Sequence, residues 1–225
     1  MAIDVTPFIL TFKLAALTVF VLLILGTPLA WWLATTRSAT KTVIESITAL
    51  PLVLPPTVLG FYMLILLGPN GTIGEVWQSM FGVSLTFSFS GLVIASCFYS
   101  LPFVVQPLQT AFELIDKRVI EASWTLGKSK VQTFFLIVMP LARRGFITAL
   151  VLGFAHTVGE FGVVLMVGGN IPGETKVISI AIYEQVETID FASAHISSAI
   201  LLLFSFIVLL AVYTSNRRWY RGVRV

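Results

Sequence analysis

Residues that could do chemistry fall in two stretches of this 225-residue chain. The first is Glu121 to Pro140, EASWTLGKSKVQTFFLIVMP. Within it, Ala122 to Ser129 reads A-x-x-x-x-G-K-S, one residue away from the phosphate-binding loop G-x-x-x-x-G-K-[ST]. That loop wraps backbone N–H groups around a phosphate. It needs its first glycine for the curve, a strand before it, a helix after it and an acidic partner for magnesium. Ala122 takes the glycine position, the preceding residues read as helical, and no acidic partner follows, so nucleotide chemistry is excluded for this loop. The second stretch holds His156 and Glu160, one helical turn apart inside an apolar run. At that spacing an imidazole and a carboxyl could pair within a membrane. Cys97 is the single cysteine. It offers neither a disulfide nor a Cys/His metal cluster and reads as a small packed hydrophobe.

The elements that position these residues belong in a bilayer. The chain is 57% hydrophobic and 11% charged, with a mean hydropathy of +0.96. Soluble domains carry about a quarter charged residues. The expectation is an all-α integral membrane protein of about five transmembrane helices, each needing about 20 mainly apolar residues. The spans are read over about 10–33, 44–67, 91–112, from 145 to at least 158, and 196–213. The second contains Pro51, Pro55 and Pro56. The apolar stretch 161–167 is too short to cross; it extends span four past a break or re-enters the membrane. Met1 to Val5 lacks the basic start of a cleaved signal, so the first run reads as a retained anchor.

Charge sets the orientation. Arg37 and Lys41 follow span one. Lys117, Arg118, Lys128, Lys130, Arg143 and Arg144 lie between spans three and four, and Arg217, Arg218, Arg221 and Arg224 follow span five. With five spans these twelve of the fourteen basic residues share one side, which places that side in the cytoplasm and the N-terminus outside. The 121–140 stretch is then cytoplasmic, and the loops 68–90 and 168–195 face outward. Trp31, Trp32 and Trp219 fit an interfacial aromatic belt. The basic residues form no single stripe, so no nucleic-acid partner is expected.

A solvated connector would be polar throughout, yet Ala122, Trp124, Leu126, Val131 and Phe134 are apolar among the charges of 121–140. Glu121 suits the N-terminal half of a short helix, and Gly127 suits the point where that helix closes and a second begins. The pattern predicts a helix-turn-helix that offers Trp124 and Leu126 to a partner. It also resembles the coupling loop of ABC-importer permeases, E-A-A-x3-G-x9-I-x-L-P. Glu121, Ala122, Ser123, Gly127, Ile137, Met139 and Pro140 match its spacing, with Ser123 in place of the second alanine and Met139 in place of the leucine.

The resemblance implies a type I importer permease fold, a single transmembrane domain over 1–225 with a core of about 10–213, and a cytoplasmic coupling loop of about 113–140. It assigns ATPase coupling to Glu121, Ala122, Ser123, Trp124, Leu126, Gly127, Ile137 and Pro140. It implies no catalytic residue, metal or cofactor in this chain, with ATP and magnesium bound by a partner. The implied assembly is a homodimer with two cytoplasmic ATPase subunits, an external oxyanion-binding protein and membrane lipid, in a bacterial or archaeal cytoplasmic (inner) membrane.

Leu50–Phe61 (LPLVLPPTVLGF), Gly68–Gly74 (GPNGTIG), Thr157–Gly162 (TVGEFG) and Gly169–Tyr183 (GNIPGETKVISIAIY) resemble the molybdate permeases of that family. Tungstate shares the charge, shape and near-size of molybdate. Sulfate and thiosulfate permeases are relatives and the alternative cargo class. The rival from another class, an ATP-independent channel or secondary transporter, would need mid-membrane ionisable residues or inverted repeats; only His156 and Glu160 qualify. Polar residues inside spans mark a path or a packing contact. Pro55, Pro56, Thr57, Ser100, Thr110, His156, Thr157 and Glu160 are the path or gate candidates. Hydroxyls, amides and helix ends suit transient passage of a dianion better than a deep cation, which would hold it. Ser96 and Ser100, at i and i+4, also suit close helix packing. Arg is common in the family where His156 stands, so no permanent positive charge is expected there. Glu160 is expected to be paired with backbone or a neighbour at a break in span four, since buried carboxylates usually are.

Overall fold

A computed structural model describes the backbone of residues 4–221 and the side chains of residues 4–210. The side chains of Arg217, Arg218, Trp219 and Arg221, and all of Arg224, lie outside the described residues.

Among the described residues three helices are long and apolar enough to cross a membrane alone: α1 (Thr6–Thr35), α5 (Phe89–Glu113) and α12 (Phe191–Arg221), the last by its residues 191–210. Two bent pairs supply the other crossings. The expected single span over 44–67 is two helices, α2 (Thr40–Val53) and α3 (Pro56–Leu67), bent by 115°. Consecutive prolines explain the break. Pro56 restricts Pro55 to extended backbone, ψ 138°, and Pro55 does the same to Leu54, ψ 135°. The outer helix α4 (Thr72–Phe81) follows before α5.

After α5 the chain forms α6 (Lys117–Thr125), α7 (Lys130–Thr133), a π-helical turn (Phe134–Val138) and α8 (Met139–Leu141). A 72° bend then leads into α9 (Arg143–Val158). Span four thus starts at a bend just before Arg143. Past Val158 the chain breaks and resumes as α10 (Gly162–Gly168), seven residues long. At about 1.5 Å per residue this cannot cross. It packs instead against α3 and α5. The outward loop then carries α11 (Ile178–Glu187), an element the sequence did not suggest.

The centre is α1, α5 and α9, mutually packed. On the cytoplasmic half Leu22, Leu33, Val104, Leu108 and Phe112 form a buried cluster that also takes in Ile120 of α6 and Val138 of the π turn. On the outer half Leu59, Met63, Val163 and Val167 join α3 to α10. Small residues permit the closest approaches, as in lipid generally. A Cβ on Gly153 would sit 2.7 Å from Val104 Cγ2, and one on Gly145 2.3 Å from the Ala111 Cβ. Among the described residues α12 packs mainly on α11; Leu202, Leu203, Phe206 and Ile207 point outward, as suits lipid contact.

Candidate coupling surface and translocation path

Local rules build the cytoplasmic segment. Asp116 caps α6, its carboxylate accepting from Arg118 N at 2.9 Å. The helix closes in a Schellman turn: Lys128 N donates to Ser123 O (3.1 Å) and Gly127 N to Trp124 O (2.9 Å). Gly127 has φ 78°. Ser129 and Gln132 then form a reciprocal capping box that starts α7. Thr133 Oγ1 donates to Ser129 O, so across the turn Ser123 Oγ is the donor to Thr133 Oγ1, at 2.6 Å. Both residues are buried. The two helices are therefore fastened together, and the expected helix-turn-helix is present. Glu121 stands at the middle of α6 rather than in its first turn.

Ile120 faces inward and anchors α6 to the core. Trp124 (45% exposed), Leu126 (81%) and Val131 (66%) face outward, together with Glu121, Ala122 and Pro140, while Ile137 is half-buried. Apolar groups ringed by charge are what an interface uses as anchors.

The path candidates fall in three groups. Ser100, His156 and Thr157 meet between α5 and α9. Thr157 Oγ1 donates to Gly153 O at 2.9 Å, so it accepts from Ser100 Oγ, 2.9 Å away. The Ser100 hydroxyl has one proton, so His156 Nδ1, also at 2.9 Å, must be the donor. In a neutral ring Nε2 is then an acceptor. The imidazole stacks on Phe103 at 3.8 Å and tilts against Tyr99 at 4.6 Å.

Pro55, Pro56 and Thr57 form the second group, at the break in span two. A Cβ on Gly162 would lie 2.8 Å from Pro56 Cβ, so the breaks of spans two and four touch. Thr110 belongs to a third group. It is exposed in a groove of about 610 Å³ with Gln106, Arg144 and Thr148, and borders a second cavity of about 310 Å³ with Glu45 and Gln109.

Glu160 corrects the sequence reading. It does not pair with His156, because α9 ends between them and His156 is committed to Ser100. The carboxyl is 3% exposed and neither oxygen has a hydrogen-bond partner. The Ser96 hydroxyl lies beside it without completing a bond. What holds the break is the backbone: Ser179 Oγ of α11 donates to Glu160 O at 2.6 Å. Cys97 is half-buried, its thiol toward Thr18 O, and among the described residues no His/Cys/Asp/Glu group could hold a metal ion.

Sequence reasoning missed a polar network between α2 and α5. Gln109 Nε2 donates to Glu45 (2.7 Å) and Glu113 (3.0 Å), and Lys41 Nζ lies 3.5 Å and 3.3 Å from the same carboxylates. The signal was Lys41/Glu45 and Gln109/Glu113, two i,i+4 pairs near adjoining cytoplasmic helix ends.

Residues 26–221 match the family model described as binding-protein-dependent transport system inner membrane component. The molybdenum transport system permease protein ModB of Azotobacter vinelandii is 56% identical over 214 residues, covering 95% of each chain. The sulfate transport system permease protein CysT of Synechocystis is 32% identical over 189 residues, covering 84% of this chain and 66% of that one. Among solved structures, the inward-facing MetNI methionine ABC transporter has a TM-score of 0.72 at 17% identity, covering 95% of this chain and 94% of that one. At that identity the likeness shows the fold. With the match running from the middle of α1 to the end of α12, the chain belongs to the binding-protein-dependent transport system inner membrane components, multi-pass proteins of the inner membrane.

Proposed function

We propose that this chain is the membrane subunit of an importer for a tetrahedral oxyanion, molybdate with tungstate as its near-isostere, driven by ATP hydrolysis on a separate subunit. The observation that carries the cargo is the 56% identity to a molybdenum permease across 95% of both chains. Sulfate is the second reading, supported by the 32% identity to a sulfate permease.

In this reading two copies of the chain assemble with two cytoplasmic ATPase subunits and an external oxyanion-binding protein. Nucleotide and magnesium are bound by the ATPase, and this chain has no catalytic residue. Trp124 and Leu126 enter a groove on the ATPase, flanked by Glu121, Ala122 and Gly127. Movement of that groove is passed on in two ways. Ile120 couples α6 to the α1–α5 core. The 130–141 helix leads through its bend into α9, whose Gly145 lies against Ala111 and Pro107 of α5. Such rigid coupling converts an ATPase closure into rotation of spans, exchanging inward- and outward-facing states.

The gate is the contact between the breaks of spans two and four, at Pro55, Pro56 and Thr57 against Gly162. Ser100, Thr110, His156 and Thr157 supply hydroxyl and imidazole groups, and Glu160 a buried carboxyl at the edge of the break. At the hydroxyl groups a dianion meets dipoles, which lower the barrier without holding the ion.

The test is reconstitution of the chain with its ATPase and binding protein in vesicles, measuring uptake of labelled molybdate against excess sulfate. ATP-dependent molybdate uptake that tungstate suppresses and sulfate does not is expected. Suppression by sulfate would move the cargo to the sulfate class. Uptake without ATP would overturn the importer reading.

A further inference from the structure

A cavity of about 400 Å³ lies between the cytoplasmic end of α1 and the helix-turn-helix. Arg37, Lys117 and Lys130 line it, with Glu121 as the only acid and Trp31 and Trp124 as aromatic walls. The three cations come from three separate elements: the α1–α2 link, the start of α6 and the start of α7. Lys41 and Lys176 are held in ion pairs, and Arg143 and Arg144 have contacts of their own. Arg37, Lys117 and Lys130 make no side-chain hydrogen bond or ion pair among the described residues. Glu121 is equally without an ion-pair partner among the described residues, so the lining side chains carry an excess of two positive charges.

Its depth identifies the ligand's surroundings. Trp31 lies in the last turns of α1, packed edge-on against Phe112 and Phe134 at 5.4 and 5.6 Å. Arg37 follows directly after the helix end at Thr35. On the positive side of a membrane protein, the end of a span with its tryptophan marks the headgroup level. Basic pockets at that level attract anionic headgroups, and the volume is in the range of small-ligand sites.

We propose that this cavity binds the phosphate of an anionic phospholipid and that the lipid thereby ties α6 to the end of α1. The phosphate sits among Arg37, Lys117 and Lys130, charge-assisted donors that match its oxygens. The glycerol and upper acyl carbons lie against the Trp31 indole. Binding needs only this chain in a bilayer. Its consequence for coupling rests on the function proposed above: a lipid bridging Arg37 to α6 would stiffen the element that receives the ATPase movement.

The experiment is native mass spectrometry of the full-length chain extracted from bilayers of phosphatidylcholine with and without phosphatidylglycerol. Wild type is expected to retain phosphatidylglycerol over phosphatidylcholine. The R37Q/K117Q/K130Q variant is expected to lose that retention by at least about tenfold, three headgroup-level charges having been removed. The R118Q/K128Q control removes two cations of the same loop that do not line the cavity and should retain lipid as wild type does. Should the triple variant fail to insert, K117Q alone carries the test, with about a threefold loss expected. Equal retention in wild type and cavity variants, or equal loss in the control, overturns the site. Displacement of the lipid by millimolar inorganic phosphate would reassign the cavity to a free anion. Lipid displaced when the ATPase subunit binds would assign it to that partner. Neither result touches the cargo, so the lipid site and the transport reading fail separately.

Discussion

Gly127 and Gly162 both stand where a helix stops and another starts, and they are glycines for opposite reasons. Gly127 has φ 78°, and a Cβ placed on it would meet nothing within 4 Å. Gly162 has an ordinary backbone, and its Cβ would strike Pro56 at 2.8 Å. The cytoplasmic turn is therefore a matter of local chain shape, with its caps and turn bonds all within the segment 116–133. The break in span four is a matter of space, set by residues a hundred positions away in the chain and by Ser179 of α11. The first region can be altered without disturbing the core; the second cannot.

Substitutions can break that contrast. The largest effect is expected at crowded glycines. Gly162→Leu, and likewise Gly145→Leu against Ala111 and the Pro107 carbonyl, should cost about 1–3 kcal/mol or more by overpacking. The measurement is thermal unfolding of the solubilised protein; a midpoint equal to wild type would remove the tight contact. At the open glycine, Gly127→Val should cost about 1–2 kcal/mol through the left-handed backbone alone. Gly127→Asn should recover most of it, since asparagine tolerates that conformation. ATPase stimulation in the assembled complex should follow the same order, and equal behaviour of Val and Asn would show that conformation is not the reason.

Next is Ser123→Ala, which leaves a buried Thr133 hydroxyl without its donor and should cost about 1 kcal/mol. The Ser123→Ala/Thr133→Val double variant should cost less than the sum of the two single changes. Strict additivity in denaturant titration would dissolve the fastening across the turn. At the span-four break, Glu160→Gln loses no hydrogen bond, so it should cost less than Ser123→Ala, and it should leave the anion preference as it is. A selectivity change in uptake competition would place the carboxyl against the cargo.

The smallest effect is at Asp190, outside the spans. The Ser193 hydroxyl and backbone N–H hold its carboxyl below the ordinary 3.8. A depressed folded value gives stabilisation that is present above the unfolded value and lost as pH falls through the folded one. Asp190→Asn should therefore slightly loosen the start of α12 at neutral pH and should remove its acid-dependent fraying below about pH 4. Hydrogen exchange at the start of α12 reads this out, and an acid response unchanged in the variant would discard it.

The chain alone carried most of what is local. Apolar runs and the one-sided placement of lysine and arginine determined the spans and their direction, because bilayer thickness and charge transfer act on any twenty-residue window. The spacing from Glu121 through Gly127 to Pro140 determined the helix-turn-helix, because caps and left-handed turns are satisfied by near neighbours. Tertiary structure alone decided the rest. It bent span two by 115°, joined Ser100 to His156 across two helices, left Glu160 unpaired where a partner was expected, and set Lys41, Glu45, Gln109 and Glu113 in one network. Each of these depends on which helix faces meet. In a chain whose spans are apolar on every side, periodicity does not say which face turns inward, and only packing does.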